Sequence, residues 1–98
     1  MPGLSVRPEA EIDALEAAVW YDGERGGLGS QFLAELRATF ERIERGPQQY
    51  PRVFHECRRA ILHRFPFGVF FIVEDGAETV VAIMHLHRHP DAWQARMK

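Results

Sequence analysis

The sequence has 98 residues and a formal net charge of −2, with 46% hydrophobic and 27% charged residues. These values are typical of one globular domain and exclude a disordered or collagen-like chain. No apolar run approaches the roughly 18–20 residues that cross a bilayer, and the N-terminal segment lacks the apolar core of a secretion signal. Because Cys57 is the single cysteine, an internal disulfide is excluded, and we expect one cytoplasmic domain over residues 1–98.

The net charge conceals a difference between the two halves of the chain. Residues 1–46 contain five arginines and nine acidic residues, a balance of −4. Residues 47–98 contain seven basic and five acidic residues, a balance of +2, together with all five histidines. Among the basic residues only Lys98 is a lysine, and arginine favours planar, bidentate contacts with carboxylates or phosphates. The second half is therefore where we expect the function.

A first helix is predicted from Pro8 to Glu24. Proline is favoured in the first turn of a helix, and the acidic residues that follow it match the helix dipole. The large apolar residues recur at spacings of three and four and form one stripe, which we expect to face the core: Ile12, Leu15, Val19 and Trp20. Gly26 and Gly27 end this helix.

A second helix is predicted from Leu28 or Ser30 to Arg45, with Gly46 and Pro47 as its C-terminal stop. Its apolar residues again share one face, and the glycine-rich run 26–29 is interpreted as a hinge between the two helices. Two such helices joined by a short connection form an antiparallel hairpin. Neither helix can bury its apolar face alone, so a third layer is required.

That third layer is predicted in the second half of the chain. Apolar, β-branched and aromatic runs cover 58–65, 67–74 and 79–88, separated by Pro66 and by an Asp-Gly turn signal. Residues 52–55 and 4–7 are expected to add short strands, and residues 90–98 form a polar tail that contains Trp93. The elements predict an α+β fold in the order β-α-α-β-β-β, with the helix hairpin packed on a twisted antiparallel sheet.

The strand predicted at 67–74 is apolar on both faces, because Phe70 and Ile72 alternate with a second apolar row. A strand in a two-layer domain needs only one apolar face. The second face must therefore be covered by the C-terminal tail, by a second copy of the chain or by a partner.

The residues able to carry chemistry are arginines and histidines of the second half. Arg58, Arg59, Arg64 and Arg88 are all predicted on strands, where they could bind phosphates or an acidic partner. A neighbouring histidine such as His85 could serve as a general acid or base. Because side chains alternate along a strand, these residues cannot all share one face. The alternative is that they are solvated charges at the ends of strands.

Other chemistry receives less support from the sequence. His85, His87 and His89 have a spacing that some metal sites use, but no carboxylate or thiolate ligand accompanies them, so we predict no metal site. Cys57 has no neighbouring base and is expected to be a partly buried, unreactive thiol. A glycine-rich phosphate loop, a nucleophile elbow and a carboxylate pair are all absent from the sequence. No cofactor is predicted.

Taken in order, several segments resemble toxins of the RelE/ParE superfamily from bacterial type II toxin–antitoxin (plasmid stabilisation) modules. The resemblance covers nearly the whole chain and is carried by AAVWY at 17–21, GLGSQF at 27–32, GP at 46–47, YP at 50–51, RFPFGVFF at 64–71 and AIMHLHRHP at 82–90, followed by Trp93 and Arg96. It implies a helix hairpin on an antiparallel sheet and a growth inhibitor that a cognate antitoxin neutralises. It also implies that operator DNA is bound only through the antitoxin.

The superfamily has two main branches, which differ in their target. RelE-type members cleave ribosome-bound mRNA, and here His85 would be the acid or base while Arg64 and Arg88 would hold phosphates. ParE-type members inhibit DNA gyrase without cleaving RNA. No lysine precedes Lys98 and no tyrosine follows Tyr50, which departs from the RelE type.

The resemblance therefore favours the ParE-like branch and a protein that is not an enzyme. Arg58, Arg59, Arg64 and Arg88 would then form the polar part of the contact with the antitoxin or target, and Trp93 would be its apolar anchor. A third reading is an inactive member retained as a protein-binding module.

Overall fold

The structure is a computed structural model that describes residues 3–97. Its helices and strands, in chain order, are β1 (Ser5–Val6), α1 (Pro8–Glu24), α2 (Leu28–Arg45), β2 (Arg52–Phe54), β3 (Cys57–Ile61), β4 (Phe67–Glu74), β5 (Ala77–His85) and α3 (Asp91–Gln94). Short 3₁₀ turns cover Pro47–Gln49 and Ala95–Met97. Both predicted helices, the strand at 67–74 and the two short outer strands are confirmed. The predicted tail is described as far as residue 97.

The five strands form one sheet in the order β1-β5-β4-β3-β2. β1 pairs with β5 in parallel, and the other neighbours are antiparallel. The turn between β4 and β5 is made by Asp75 and Gly76, both with positive φ, as the Asp-Gly signal predicts. The α+β fold expected from the sequence is therefore confirmed.

Two predicted strands are too long at their C-terminal ends. β3 ends at Ile61 instead of residue 65. Leu62 still donates its N–H to the carbonyl of Phe67 at 3.0 Å, and residues 63–66 then turn the chain back into β4. β5 ends at His85 instead of residue 88, because the N–H of Arg88 turns back to the carbonyl of His85 at 2.9 Å. In both places the apolar composition continues into a turn.

The main core lies between the helix hairpin and the sheet. Its centre is a cluster of aromatic rings, in which Tyr21 lies 4.9 Å from Phe65 and Phe32 lies 5.1 Å from Phe67, measured between ring centroids. α1 contributes mostly small side chains to this core: Ala10, Ala14, Ala17, Ala18 and Tyr21. Alanines let α1 approach the sheet closely, and the large rings come from the other elements.

The predicted core stripe of α1 is wrong. Ile12, Leu15, Val19 and Trp20 are 56–72% exposed and lie on the outer side of the helix. The physical reason is space: the interval between α1 and the sheet is filled by aromatic rings and accepts only alanine along most of the helix. Hydrophobicity alone assigned the wrong face to the core.

A second core covers the opposite face of the sheet. It contains Phe70, Ile72 and Cys57, and the C-terminal tail closes it. Trp93 of α3 stacks on Phe70 with ring centroids 4.3 Å apart and planes at 20°. The sequence left three possible covers for this face: the tail, a second copy of the chain or a partner. In the structure the tail covers it at Phe70.

Candidate functional site

Arg58 and Arg59 lie on opposite faces of β3. Arg58 points to the helix side, where its Nη1 donates to the carbonyl of Tyr50 at 2.6 Å. Arg59 lies on the same face as Phe70, and its stem passes over Gly68, where an added Cβ would be 3.1 Å from the Arg59 Cδ. The buried Nε of Arg59 has no hydrogen-bond partner among the described residues. The two neighbouring arginines therefore cannot form one binding surface.

Arg64 was predicted on a strand, and this prediction is wrong: the residue lies in the loop between β3 and β4. The carboxylate of Glu35 on α2 accepts the backbone N–H groups of His63 and Arg64, the latter at 3.0 Å. The Arg64 guanidinium donates from Nη2 to Gln31 Oε1 at 2.7 Å and lies 5.6 Å from the centre of the Phe65 ring. This arginine is therefore directed toward α2, while its side chain remains near the surface.

His85 and Arg88 come together at the end of β5. Arg88 was also predicted on a strand, but β5 ends at His85 and Arg88 lies in the turn that follows. The two residues line a cavity of about 200 Å³ with Asp13 and Glu16 of α1 and with Phe67. This cavity is the polar part of the candidate site.

An apolar cavity of about 340 Å³ adjoins the polar one. Trp20, Tyr21 and Pro66 line it, and it shares Phe67 and His85 with the polar cavity. We call the two together the α1–β5 groove. His85 stands at the boundary between its halves, with its ring 5.4 Å from the Phe67 ring.

The hydrogen bonds of His85 limit what it can do chemically. Its Nδ1 accepts the backbone N–H of His87 at 3.1 Å, so in the neutral ring the proton is on Nε2. His85 can then donate a hydrogen bond or a proton from Nε2. His89 makes a similar turn bond, in which its Nδ1 accepts the N–H of Asp91 at 3.1 Å. The histidine run therefore organises two turns.

Trp93, the predicted apolar anchor, is buried in the second core. It stacks on Phe70 and lies edge-on to Phe54, with 6.1 Å between ring centroids. Only 6% of the residue is exposed. A partner could contact Trp93 extensively only after the tail had moved away from the sheet.

The pairing that holds the tail in place was missed by sequence reasoning. Arg96 donates to both carboxylate oxygens of Asp13, at 2.7 and 3.1 Å, and to the carbonyl of Val81 at 3.1 Å. Asp13 also accepts the backbone N–H of Ile83 at 3.0 Å. The hydrogen bonds to Asp13 raise the pKa of Arg96. No local signal could have identified this pair, because 83 positions separate the two residues.

Cys57 is more deeply buried than the partly buried thiol that the sequence predicts. It is fully buried in the second core, and this burial raises its pKa to about 11. A thiol with such a pKa is almost entirely protonated at neutral pH and cannot act as a nucleophile there.

Metal binding and membrane insertion are two further possibilities for residues 3–97. In that range no three His, Cys, Asp or Glu side chains are grouped so that they could hold a metal ion. The same range contains no helix long and apolar enough to span a membrane.

Comparisons with known proteins cover most of the chain. Residues 4–91 match the model of a family described as the ParE toxin of the type II toxin–antitoxin system, parDE. The fold is similar to a solved structure entitled "Chromosomal ParDE TA system from P. aeruginosa", with a TM-score of 0.73 and 19% sequence identity over 87% of this chain and 96% of that one. A search of curated proteins gives no significant match.

Proposed function

Because the chain belongs to the ParE toxin family of type II toxin–antitoxin systems, we propose that it arrests bacterial growth by inhibiting DNA gyrase in the cytoplasm. The observation that carries this proposal is the family match over residues 4–91. Membership of a parDE system implies a cognate antitoxin as its partner. The antitoxin would keep the toxin inactive until the two proteins separate.

The arrangement of the polar side chains supports inhibition by binding over catalysis. Cys57 is buried, and the Arg64 guanidinium is bonded to α2. Arg58 and Arg59 face opposite sides of the sheet. Phosphoryl chemistry requires charged groups that converge on one reacting atom, and these arginines diverge. A protein that occupies its target needs no such convergence.

We propose that the antitoxin or target contacts the predicted residues in two separate regions. Arg64 and Arg88 belong to the end of the sheet where the chain turns after β3 and after β5, and Arg59 belongs to the face that the tail partly covers. An acidic, apolar segment could pair with these arginines, since charge complementarity accelerates and orients association. Arg58 and Trp93 would take part after a local rearrangement, because both are engaged within the chain.

One observation favours the second candidate function, a ribosome-dependent endoribonuclease. His85 and Arg88 line the same cavity, and a histidine that carries its proton on Nε2 can act as a general acid beside a phosphate clamp. In that function His85 would be required for toxicity.

The test is controlled expression of the chain in a growing bacterium, with three readouts: growth, plasmid supercoiling and the positions of mRNA 5′ ends. We expect growth arrest with loss of negative supercoiling and no ribosome-phased cuts. Purified protein should inhibit gyrase supercoiling of a relaxed plasmid directly.

Two histidine variants distinguish the candidates. His85→Ala should retain growth arrest, as should the matched control His63→Ala, in which an exposed loop histidine is removed. Ribosome-phased cuts that His85→Ala abolishes and His63→Ala preserves would establish the endoribonuclease instead. A chain without any effect on growth would contradict both toxin mechanisms.

A further inference from the structure

The apolar half of the α1–β5 groove has the features of a small-molecule pocket. Its volume is about 340 Å³, and the rings of Trp20, Tyr21, Pro66 and Phe67 line it. Ligand pockets have volumes from about 300 Å³ upward and are lined mainly by apolar and aromatic side chains, with a few polar groups that orient the ligand. This half of the groove is therefore suited to an aromatic ring.

The apolar and polar halves of the groove are continuous. Ala17, Phe67 and His85 line both of them. The methyl group of Ala17 leaves the passage between the halves open, where a larger side chain would narrow it. A molecule whose ring occupies the apolar half can therefore extend a short polar group into the polar half.

The polar half presents one carboxylate and one guanidinium that are free to bind a ligand. The carboxylate of Asp13 is already occupied, because Arg96 and the N–H of Ile83 donate to it. Glu16 and Arg88 line the same cavity and are exposed. Their side chains make no hydrogen bond or ion pair within residues 3–97. Two unpaired charges of opposite sign therefore stand beside the aromatic half.

This pair of charges selects a zwitterion. A ligand with only a carboxylate would gain from Arg88 but would be repelled by Glu16, and a ligand with only an ammonium group would meet the reverse situation. A guanidinium binds a carboxylate through two parallel hydrogen bonds, and His85 can add a third donor through Nε2. A molecule that carries both charges on neighbouring atoms satisfies both residues, and an α-amino acid is such a molecule.

We propose that the α1–β5 groove binds a free α-amino acid with an aromatic side chain. Its carboxylate would pair with Arg88, its ammonium group with Glu16, and its ring would lie in the apolar half beside Trp20 and Phe67. The proposal goes beyond the toxin function, because neither gyrase inhibition nor an antitoxin requires a small molecule in this groove.

Four compounds test the proposal on the purified full chain by titration calorimetry. Phenylalanine carries the ring and both charges. Phenylalaninamide lacks the carboxylate and represents the first residue of a peptide, N-acetylphenylalanine lacks the ammonium charge and represents the last residue, and alanine lacks the ring. We expect phenylalanine to bind with a Kd of about 0.1–1 mM, as suits a ligand of this size. Each of the other three should bind at least about tenfold more weakly.

Two charge variants assign the ligand's groups to residues. Arg88→Glu should weaken phenylalanine binding at least about tenfold, whereas Arg45→Glu, which makes the same charge change at the far end of α2, should not alter it. Glu16→Gln should remove the preference for phenylalanine over N-acetylphenylalanine. Glu41→Gln, at an exposed position of α2, should preserve that preference. Circular dichroism confirms that each variant is folded.

NMR spectra of the amide groups locate the ligand, and we expect the largest shifts at Ala17, Phe67 and His85. No saturable binding of phenylalanine up to about 10 mM would overturn the proposal. Equal binding of phenylalaninamide or N-acetylphenylalanine would also overturn it and would point to the end of a peptide as the occupant. Shifts confined to other parts of the chain would refute the assigned site. These results do not depend on the growth, supercoiling and mRNA assays, so the two proposals can fail separately.

Discussion

At the scale of single residues, the contact between the two helices depends on a missing side chain. Gly29 is buried at the start of α2, and its N–H donates to Asp22 Oδ1 at 2.7 Å. A Cβ at this position would lie 2.4 Å from the carbonyl oxygen of Ala18. The sequence predicts the glycine-rich run as a hinge. In the structure Gly27 provides the positive φ of the turn, while Gly29 permits the backbones of α1 and α2 to touch.

Gly29→Ala should therefore destabilise the fold by about 1–3 kcal/mol, because the new methyl group has to displace the backbone of α1. Gly23→Ala is the matched control, since no atom lies within 4 Å of its added Cβ and alanine is favoured over glycine in a helix by about 0.5–1 kcal/mol. Urea unfolding measures both variants. Equal unfolding midpoints for the two would contradict this account of the helix contact.

At the scale of secondary structure elements, sequence pattern predicted which segments form helices and strands but not which side of α1 is buried. The bounds Pro8–Glu24 follow from local signals: proline at the start and glycines beyond the end. The buried side depends on how much room the sheet and α2 leave, and that room is set by rings such as Phe32 and Phe67, distant in sequence. The candidate site was also predictable only in part: its residues could be named from the sequence, but not their arrangement. His85 and Arg88 were identified, but their meeting with Asp13 requires the tertiary fold.

The correction for α1 yields a prediction opposite to that of the sequence pattern. Ala10→Leu should destabilise the fold by about 1–3 kcal/mol, because Ala10 is fully buried and a larger side chain overpacks the core. Leu15→Ala should change the stability by less than about 0.5 kcal/mol, because this leucine is 60% exposed. Thermal and urea unfolding of the two variants provide the measurement. A larger loss for Leu15→Ala would restore the original assignment of the core face.

At the scale of the whole molecule, the fold consists of one sheet with a core on each face. The helix hairpin closes the first core, and the C-terminal tail closes the second with Trp93. The bond between Arg96 and Asp13 joins the tail to α1 around the edge of β5. The carboxylate of Asp13 also caps the N–H of Ile83. One ion pair therefore links the two covers of the sheet.

Arg96→Leu should loosen the tail and lower the free energy of unfolding by about 1–3 kcal/mol, since Asp13 then keeps only the N–H of Ile83 as a partner. In a Trp20→Phe background Trp93 is the remaining tryptophan, and acrylamide should quench its fluorescence more strongly once the arginine is removed. Arg45→Leu, at the exposed end of α2, is the control. Unchanged quenching in Arg96→Leu would mean that the stacking of Trp93 alone holds the tail.

The link between Arg96 and Asp13 also determines when the protein can complete its fold during synthesis. N-terminal parts of a chain leave the ribosome first, so the helix hairpin is available before the strands. Arg96 follows all five strands in chain order, so the sheet leaves the ribosome before the residue that fastens the tail. The second face of the sheet, with Phe70 at its centre, therefore emerges before the tail that covers it. A binding protein present at that moment meets an apolar face that the finished protein conceals.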